Sequence, residues 1–124
     1  MRQPDIEIYL KDTDRAAVAQ WLAQTLNAPC SWQQKGRVFR CVCAGISIIW
    51  FERAVGAWHS LLFESSQTPW LNDLQCAQAA AAYLQVTVRC APGGWQEADG
   101  EKDADRWLQV NADGQLETIT WYTS

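Results

Sequence analysis

Apolar and polar residues alternate along several short stretches of this chain, a pattern that predicts β-strands. Ile6, Ile8 and Leu10 fall on one face of the segment 6–10, with the two-residue period of a half-buried strand. We predict further strands over residues 31–34, 37–43, 46–53, 58–63, 86–90, 106–110 and 116–122. The residues at 111–114 suit a hairpin connection between the last two strands.

A first helix is predicted to follow the strand at 6–10 and to end at Leu26. Asp12 or Thr13 can cap it, because their side-chain oxygens accept hydrogen bonds from free backbone N–H groups. Asn27 suits the left-handed residue that follows the last helical turn. The apolar positions that recur at helical spacing are Val18, Trp21, Leu22 and Leu26.

A second helix is predicted from Pro69 to about Leu84. Thr68 can cap this helix, and Pro69 suits its first position, where a backbone N–H would in any case lack an intrahelical partner. The alanines at 79–82 favour a helix that packs closely on a sheet. Its apolar side is predicted to consist of Trp70, Leu71, Leu74, Ala77, Ala81 and Leu84.

This order of elements predicts an α+β fold, with a mainly antiparallel sheet and two helices packed on one of its faces. The whole chain, residues 1–124, is expected to form a single domain. Each half runs from a strand through a helix to several strands, which raises the hypothesis of an internal β-α-β-β duplication. Residue identity between the halves is negligible.

The composition is typical of a folded globular protein, with 48% hydrophobic and 19% charged residues. No apolar run approaches the roughly 20 residues that span a bilayer, so we expect no membrane association. The first residues lack the apolar stretch of a signal peptide. The five cysteines are odd in number, unlike those of a typical disulfide scaffold. We therefore expect a reduced, cytoplasmic protein.

Eight tryptophans are the most informative feature of the composition, because each indole combines a large apolar area with an N–H that needs a partner. Three are predicted to lie in the core: Trp21, Trp50 and Trp70. Four others fall at loop edges or in the last hairpin, where packing and recognition are equally plausible: Trp58, Trp95, Trp107 and Trp121. Trp107 and Trp121 could face each other across that hairpin.

Negative charge is concentrated in one segment, 97–105. It contains Lys102 and five acids, a net charge of −4 that equals the net charge of the whole chain. The acids are Glu97, Asp99, Glu101, Asp103 and Asp105. Such a segment is either a solvated loop that keeps the protein soluble or a surface that attracts a basic partner.

Metal, cofactor and nucleic-acid sites are not indicated. Counted from Asp99, an EF-hand loop would need glycine and glutamate where Ala104 and Val110 stand. Cys41 and Cys43 share a face of one predicted strand, but no second cysteine pair accompanies them, so a core role is favoured over zinc. A pI of about 4.8 disfavours binding to the phosphate backbone of nucleic acids.

No catalytic residues can be assigned from the sequence. His59 is the only histidine, and it has no nucleophile motif around it, so a partly buried structural role is favoured over that of a catalytic base. Glu52 and Glu64 stand at strand ends, but the sequence gives no separation between them, and carboxylate-pair hydrolysis depends on that separation.

Three function classes remain. The first is a protein that binds a basic protein partner through Trp95, Glu97, Asp99, Glu101, Asp103, Asp105 and Trp107. The second is a small-molecule-binding domain or enzyme, with a pocket between sheet and helices lined by Arg40, Trp50, Arg53 and His59. The third is a homo-oligomer that associates through the strand at 46–51 or the edge of the last hairpin. The first is favoured, and a binding role is favoured over catalysis.

Overall fold

A computed structural model describes residues 5–64, 67–91 and 106–122 of the chain. Within these residues there are two α-helices, α1 (Arg15–Leu26) and α2 (Asp73–Leu84). The eight strands are β1 (Ile6–Leu10), β2 (Gln33–Lys35), β3 (Val38–Cys43), β4 (Ile46–Val55), β5 (Trp58–Glu64), β6 (Val88–Cys90), β7 (Arg106–Val110) and β8 (Leu116–Thr120). Neither described helix is long and apolar enough to cross a membrane.

All eight described strands form one antiparallel sheet, in the order β2-β3-β4-β5-β1-β6-β7-β8. The predicted α+β class is therefore confirmed. The order does not repeat between the two halves of the chain. The strand that follows α1 lies at an edge of the sheet, whereas the strand that follows α2 lies beside β1 near the centre.

The pairing of β1 with β5 separates two faces of the sheet. Ile6 lies opposite Phe63 and Ile8 opposite Leu61, and all four side chains are buried in the core. Intervening residues such as Tyr9 point the other way, because successive side chains in a strand alternate between faces. Both helices pack on the first face. We call the second face, on which no described helix packs, the helix-free face.

The core combines bulky aromatic rings with small side chains. Trp21 of α1 stacks on Trp70 with ring centroids 5.5 Å apart, and Trp70 contacts Phe63 of β5 edge-on at 5.1 Å. Burial of Trp21, Trp50 and Trp70 confirms their predicted place in the core. Helix α2 approaches the sheet through small side chains that are fully buried: Cys76, Ala77, Ala80 and Ala81.

Helix α1 begins slightly later than predicted. Its N-cap is Asp14, whose carboxylate accepts a hydrogen bond from the Ala17 backbone N–H at 2.8 Å. Asp12 is excluded from that role because its φ of 63° turns the chain before the helix starts. At the other end Asn27 adopts the predicted left-handed conformation, with φ 54°.

Helix α2 also begins later than predicted, and its N-cap is Asn72 rather than Thr68. The Asn72 side chain accepts from the Gln75 N–H at 2.9 Å, and the Gln75 side chain accepts from the Leu71 N–H at 3.0 Å. The two side chains together satisfy two backbone donors at the start of the helix, much as a capping box does. The Thr68 hydroxyl instead donates to the Trp70 carbonyl at 3.1 Å, and the residues between form a turn that buries Trp70.

Replacement of Trp70 should cost far more stability than replacement of its neighbour. Trp70→Ala removes a ring packed on Trp21 and Phe63, and we expect it to lower the free energy of unfolding by about 3–5 kcal/mol. Leu71→Ala is the matched control, because this leucine is 72% exposed and should change stability by less than about 0.5 kcal/mol. Urea denaturation of both variants measures the difference, and similar losses would contradict this packing.

Candidate functional site

The structure describes one residue of the predicted partner-binding set. Trp107 lies in β7 and is half-buried. The other six lie outside the described residues: Trp95, Glu97, Asp99, Glu101, Asp103 and Asp105. The segment that contains them joins β6 to β7, so the structure defines the surroundings of its two ends.

Trp107 belongs to a group of aromatic rings on the helix-free face. Its ring lies 5.0 Å from that of Trp121 and 5.5 Å from that of Tyr9, both in edge-on geometry. Trp121 also contacts Tyr9 at 5.3 Å and Trp58 at 5.4 Å. Edge-on contacts of this kind add stabilisation beyond the area that they bury. The last hairpin is thereby attached to the central strands through its side chains.

Arg89 of β6 lies among these rings. The central guanidinium carbon is 4.2 Å from the ring of Trp58 and 4.7 Å from that of Trp121, within the range of cation–π attraction. Its Nε donates to the Gln109 side chain at 2.9 Å. No carboxylate among the described residues lies within ion-pair distance of Arg89. We call Tyr9, Trp58, Arg89, Trp107 and Trp121 the Arg89 cluster.

Charges around the Arg89 cluster are balanced. The Lys11 ammonium lies 5.0 Å from the Trp58 ring and adds a second cation. Two acids of this face lie near the cluster: Glu7, which accepts from the Ser60 hydroxyl at 2.7 Å, and Glu117, which accepts from the Asn111 side chain at 2.8 Å. Burial, with the nearby charge of Glu7, raises the pKa of Tyr9, so its phenol stays neutral at physiological pH.

Trp107 and Trp121 contact each other diagonally rather than directly across the hairpin. The turn that joins β7 to β8 sets Val110 opposite Leu116, which places Trp107 opposite Ile119. Trp121 lies two residues further on, on the same face. Diagonal neighbours are more widely spaced than direct ones, but aromatic side chains reach across that distance.

A second candidate site lies on the other side of the sheet, beside the start of α1. Three arginines from separate elements line one cavity of about 280 Å³: Arg15, Arg37 and Arg53. Its other lining residues are Gln34, Gly36, Phe39 and Glu52. We call this cavity the arginine cleft. Glu52 is the only carboxylate among its lining residues, so positive charge predominates there.

Two of the cleft's charged groups are held by neighbouring side chains. The Trp50 indole N–H donates to Glu52 at 2.7 Å, which satisfies the polar atom of a fully buried ring. The Arg15 guanidinium lies 3.6 Å from the Phe39 ring and 3.8 Å from the Glu52 carboxylate. That ion pair is about two-fifths exposed on each side, and such pairs contribute little stability. Arg15 therefore keeps most of its capacity to bind an anion.

His59 lies beside Arg53, one of the residues of the arginine cleft, and makes a structural contact there. Its Nδ1 accepts a hydrogen bond from the Arg53 backbone N–H at 3.0 Å, and its ring stacks on Trp50 at 4.7 Å. Arg53 has a φ of 51° at a bulge in β4, so the imidazole stabilises a strained backbone position. Because Nδ1 accepts, the neutral ring carries its proton on Nε2 and does not offer a free basic nitrogen there.

Arg40 does not join the other three residues of the predicted pocket. It lies opposite Ile49 on the helix-free face, whereas its neighbour Phe39 lies opposite Trp50. Its guanidinium is 3.5 Å from the Glu64 carboxylate. His59 contacts both Trp50 and Arg53. The alternation that separates Arg40 from Phe39 also separates Glu64 from Glu52, so these two acids lie on opposite faces.

Sequence reasoning missed several residues of both sites. Arg89 gives no signal in the sequence, because the two rings that surround it come from β5 and from the residue after β8. Trp58 is the first residue of β5, as predicted, and it is buried, although the sequence leaves packing and recognition equally open for it. Arg15 reaches the cleft through the packing of α1 on the sheet, whereas Arg37 reaches it through the pairing of β3 with β4. No group of three or more metal-ligand side chains occurs within the described ranges.

Comparison with known proteins assigns neither site. No protein-family model matches the chain, and neither the curated proteins nor the solved structures contain a significant match to it. The functional argument therefore depends on the geometry of the two sites.

Protonation of His59 should weaken the fold below neutral pH. Burial lowers its pKa from 6.5; the charge of Glu52 opposes this effect and that of Arg53 adds to it. In the unfolded chain, the histidine takes up a proton near pH 6.5, whereas in the native protein it does so only at lower pH. The free energy of unfolding therefore falls as the pH decreases from 6.5 through the lowered native pKa. As the only histidine, His59 gives an unambiguous NMR titration.

The control for this pH effect is His59→Gln. Asp73, whose pKa is raised to about 6 by burial, acts in the opposite direction, because its native carboxyl binds a proton more readily than the unfolded one. Subtracting the pH profile of the variant from that of the unaltered protein removes this contribution. An imidazole pKa at or above 6.5 in the native protein would contradict the buried, hydrogen-bonded position of His59.

Proposed function

We propose that this chain is a binding protein that holds a basic protein partner against the Arg89 cluster and the acidic segment 97–105. The observation that carries the proposal is the position of Trp107 and Trp121, half-buried on the helix-free face. Tryptophan, tyrosine and arginine are the residues that most often dominate the energy of protein interfaces. This cluster contains all three types.

Apolar area continues across the helix-free face beyond the cluster. Phe51 of β4 is 38% exposed and Val42 of β3 is 69% exposed, and by register both point to this face. Interfaces combine an apolar centre with a polar rim. Exposed apolar side chains beside aromatic rings support a docking role for this face over a purely solvated one.

Net charge favours a basic partner over an acidic one. Lys11 and Arg89 are matched near the cluster by Glu7 and Glu117, so the net charge of −4 in the segment 97–105 is the excess charge that favours a basic partner. This segment belongs to the connection between β6, which carries Arg89, and β7, which carries Trp107. An acidic field steers a basic protein to the surface, and the rings then supply the short-range contact area.

A reducing compartment, the cytoplasm, forms part of this proposal, because all five cysteines are free thiols.

Self-association is the competing hypothesis, since β8 forms one edge of the described sheet and Leu116 within it is 45% exposed. Light scattering separates the two: a monomer has a mass of 14.0 kDa, whereas an isologous dimer has twice that mass.

The partner-binding proposal predicts that two independent changes weaken the same complex. A partner is first captured from native lysate, identified and purified, and its affinity for each variant is then measured by calorimetry. Neutralising Glu97, Asp99, Glu101, Asp103 and Asp105 to their amides should weaken binding at least tenfold and reduce its salt dependence. Trp107→Ala should also weaken it about tenfold or more.

Tyr83→Ala is the matched control for Trp107→Ala. Tyr83 is 42% exposed but lies on α2, on the side of the sheet that the helices cover, and its loss should change affinity less than twofold. Circular dichroism verifies that each variant is folded. A purified partner whose affinity is unchanged by both the amide variant and Trp107→Ala would contradict the proposal, as would the absence of any stoichiometric partner.

A small anionic ligand in the arginine cleft is the second candidate function. The observation in its favour is that three guanidinium groups line one cavity with a single carboxylate. Arginine pairs with carboxylate and phosphate groups through two parallel hydrogen bonds. The neighbouring Phe39 and Trp32 add apolar area at the edge of this region. Such a ligand would bind independently of the acidic segment.

Citrate and inorganic phosphate are suitable probes of the arginine cleft. The double variant Arg37→Gln and Arg53→Gln should raise the dissociation constant of either anion at least tenfold, because it removes two of the three cations. Arg40→Gln is the matched control, since this arginine lies on the helix-free face, and it should change binding less than twofold. Equal weakening by both would show that the anions respond only to overall charge.

A further inference from the structure

Two of the five free thiols lie in direct contact. Cys30 stands in the segment between α1 and β2, and Cys41 stands in β3. Their sulfur atoms are 3.0 Å apart, which is closer than two sulfurs in ordinary van der Waals contact. A disulfide between them would shorten this distance by only about 1 Å, to the S–S bond length of about 2.05 Å.

Hydrogen bonds hold the segment around Cys30 on both sides. The Ala28 N–H donates to the Ala23 carbonyl at 3.2 Å, and the Ala28 carbonyl accepts from the Cys43 thiol at 3.4 Å. Further along, the Trp32 indole donates to the Arg15 carbonyl at 2.9 Å. The position of Cys30 over β3 is therefore fixed by its neighbours and does not depend on the contact with Cys41.

The two thiols differ in their surroundings. Cys30 is half-buried, whereas Cys41 is 5% exposed. The hydrogen bond from Cys41 lowers the pKa of Cys30, and the same contact together with burial raises the pKa of Cys41. A surface cavity of about 500 Å³ borders Cys41 and the residues on either side of Cys30, Pro29 and Ser31. Cys30 is itself only partly buried, so we expect a small reagent to reach its thiol.

We propose that Cys30 and Cys41 are a redox-active pair, which forms an intramolecular disulfide by exchange with a small-molecule disulfide such as oxidised glutathione. This proposal does not rest on either of the proposed binding functions. Cys76 and Cys90 are fully buried, and the Cys43 thiol is engaged with a backbone carbonyl, so these three do not compete with the pair.

The exchange proceeds in two balanced steps. The Cys30 thiolate attacks one sulfur of oxidised glutathione, whose S–S bond breaks, and one glutathione leaves as a thiolate while a mixed disulfide forms on Cys30. Cys41 then loses its proton to solvent and attacks the Cys30 sulfur, which releases the second glutathione. Two protein thiols are oxidised and one glutathione disulfide is reduced to two thiols, which take up the two protons.

The test exposes the native protein to buffers with increasing ratios of oxidised to reduced glutathione. Intact mass spectrometry should show a loss of about 2 Da, for the two hydrogens removed, and peptide mapping should join Cys30 to Cys41. Because the bridge closes a loop in the unfolded chain, the unfolding midpoint should rise by about 5 °C or more in the oxidised protein. Reduction should reverse both changes.

Three variants assign the roles of the two thiols. Cys41→Ser should stop at the mixed disulfide on Cys30, with a mass gain of about 305 Da for one attached glutathione. Cys30→Ser should take up no glutathione while folded. Cys43→Ser keeps a donor for the Ala28 carbonyl and should still form the bridge. Each of three results would overturn the proposal: five free thiols after exposure to oxidised glutathione, a bridge between other cysteines, or the absence of a glutathione adduct on Cys30 in Cys41→Ser.

Discussion

The antiparallel pairing of β1 with β5 decides which side chains this protein buries and which it leaves on the helix-free face. Ile8 lies opposite Leu61, and one residue later Tyr9 lies opposite Ser60. Because side chains alternate between faces, a shift of this register by one residue would exchange the core with the helix-free face. Both helices pack on the side of Ile8. No described helix covers the Arg89 cluster, because both helices pack on that side.

Local patterns predicted most of the fold, because the spacing of apolar residues in strands and helices depends only on residues that are close together in the sequence. The starts of both helices were wrong for a local reason as well: several residues compete to cap each helix. Thr68 and Asn72 are both good caps. Asn72 prevails because it accepts from the Gln75 N–H while the Gln75 side chain accepts from the neighbouring Leu71 N–H, and because the preceding turn buries Trp70. The sequence shows the competitors but not the burial that decides between them.

The two sites depend on long-range register and packing, and the sequence predicted them only in part. Trp50, Arg53 and His59 meet because they lie close together on one hairpin, which a local reading can detect. Arg40 was assigned to their pocket although the register of β3 against β4 places it on the other face. Arg89 meets its rings only after five strands, from β5 through β1 and β6 to β8, have paired, and composition reveals the tryptophans without revealing their neighbours.

The thiol pair and the arginine cleft share one segment of the chain. A bond between Cys30 and Cys41 would close a loop that contains Gln34, Gly36, Arg37 and Phe39, four of the residues that line the cleft. The same loop carries Trp32, whose indole already attaches it to α1 beside Arg15. A ligand that orders this loop gains affinity when the loop is restrained beforehand, since less entropy is then lost on binding. If the pair forms its bridge and the cleft binds an anion, we expect the two to be coupled, and because such coupling is reciprocal, an occupied cleft would favour the bridge as much as the bridge favours occupancy.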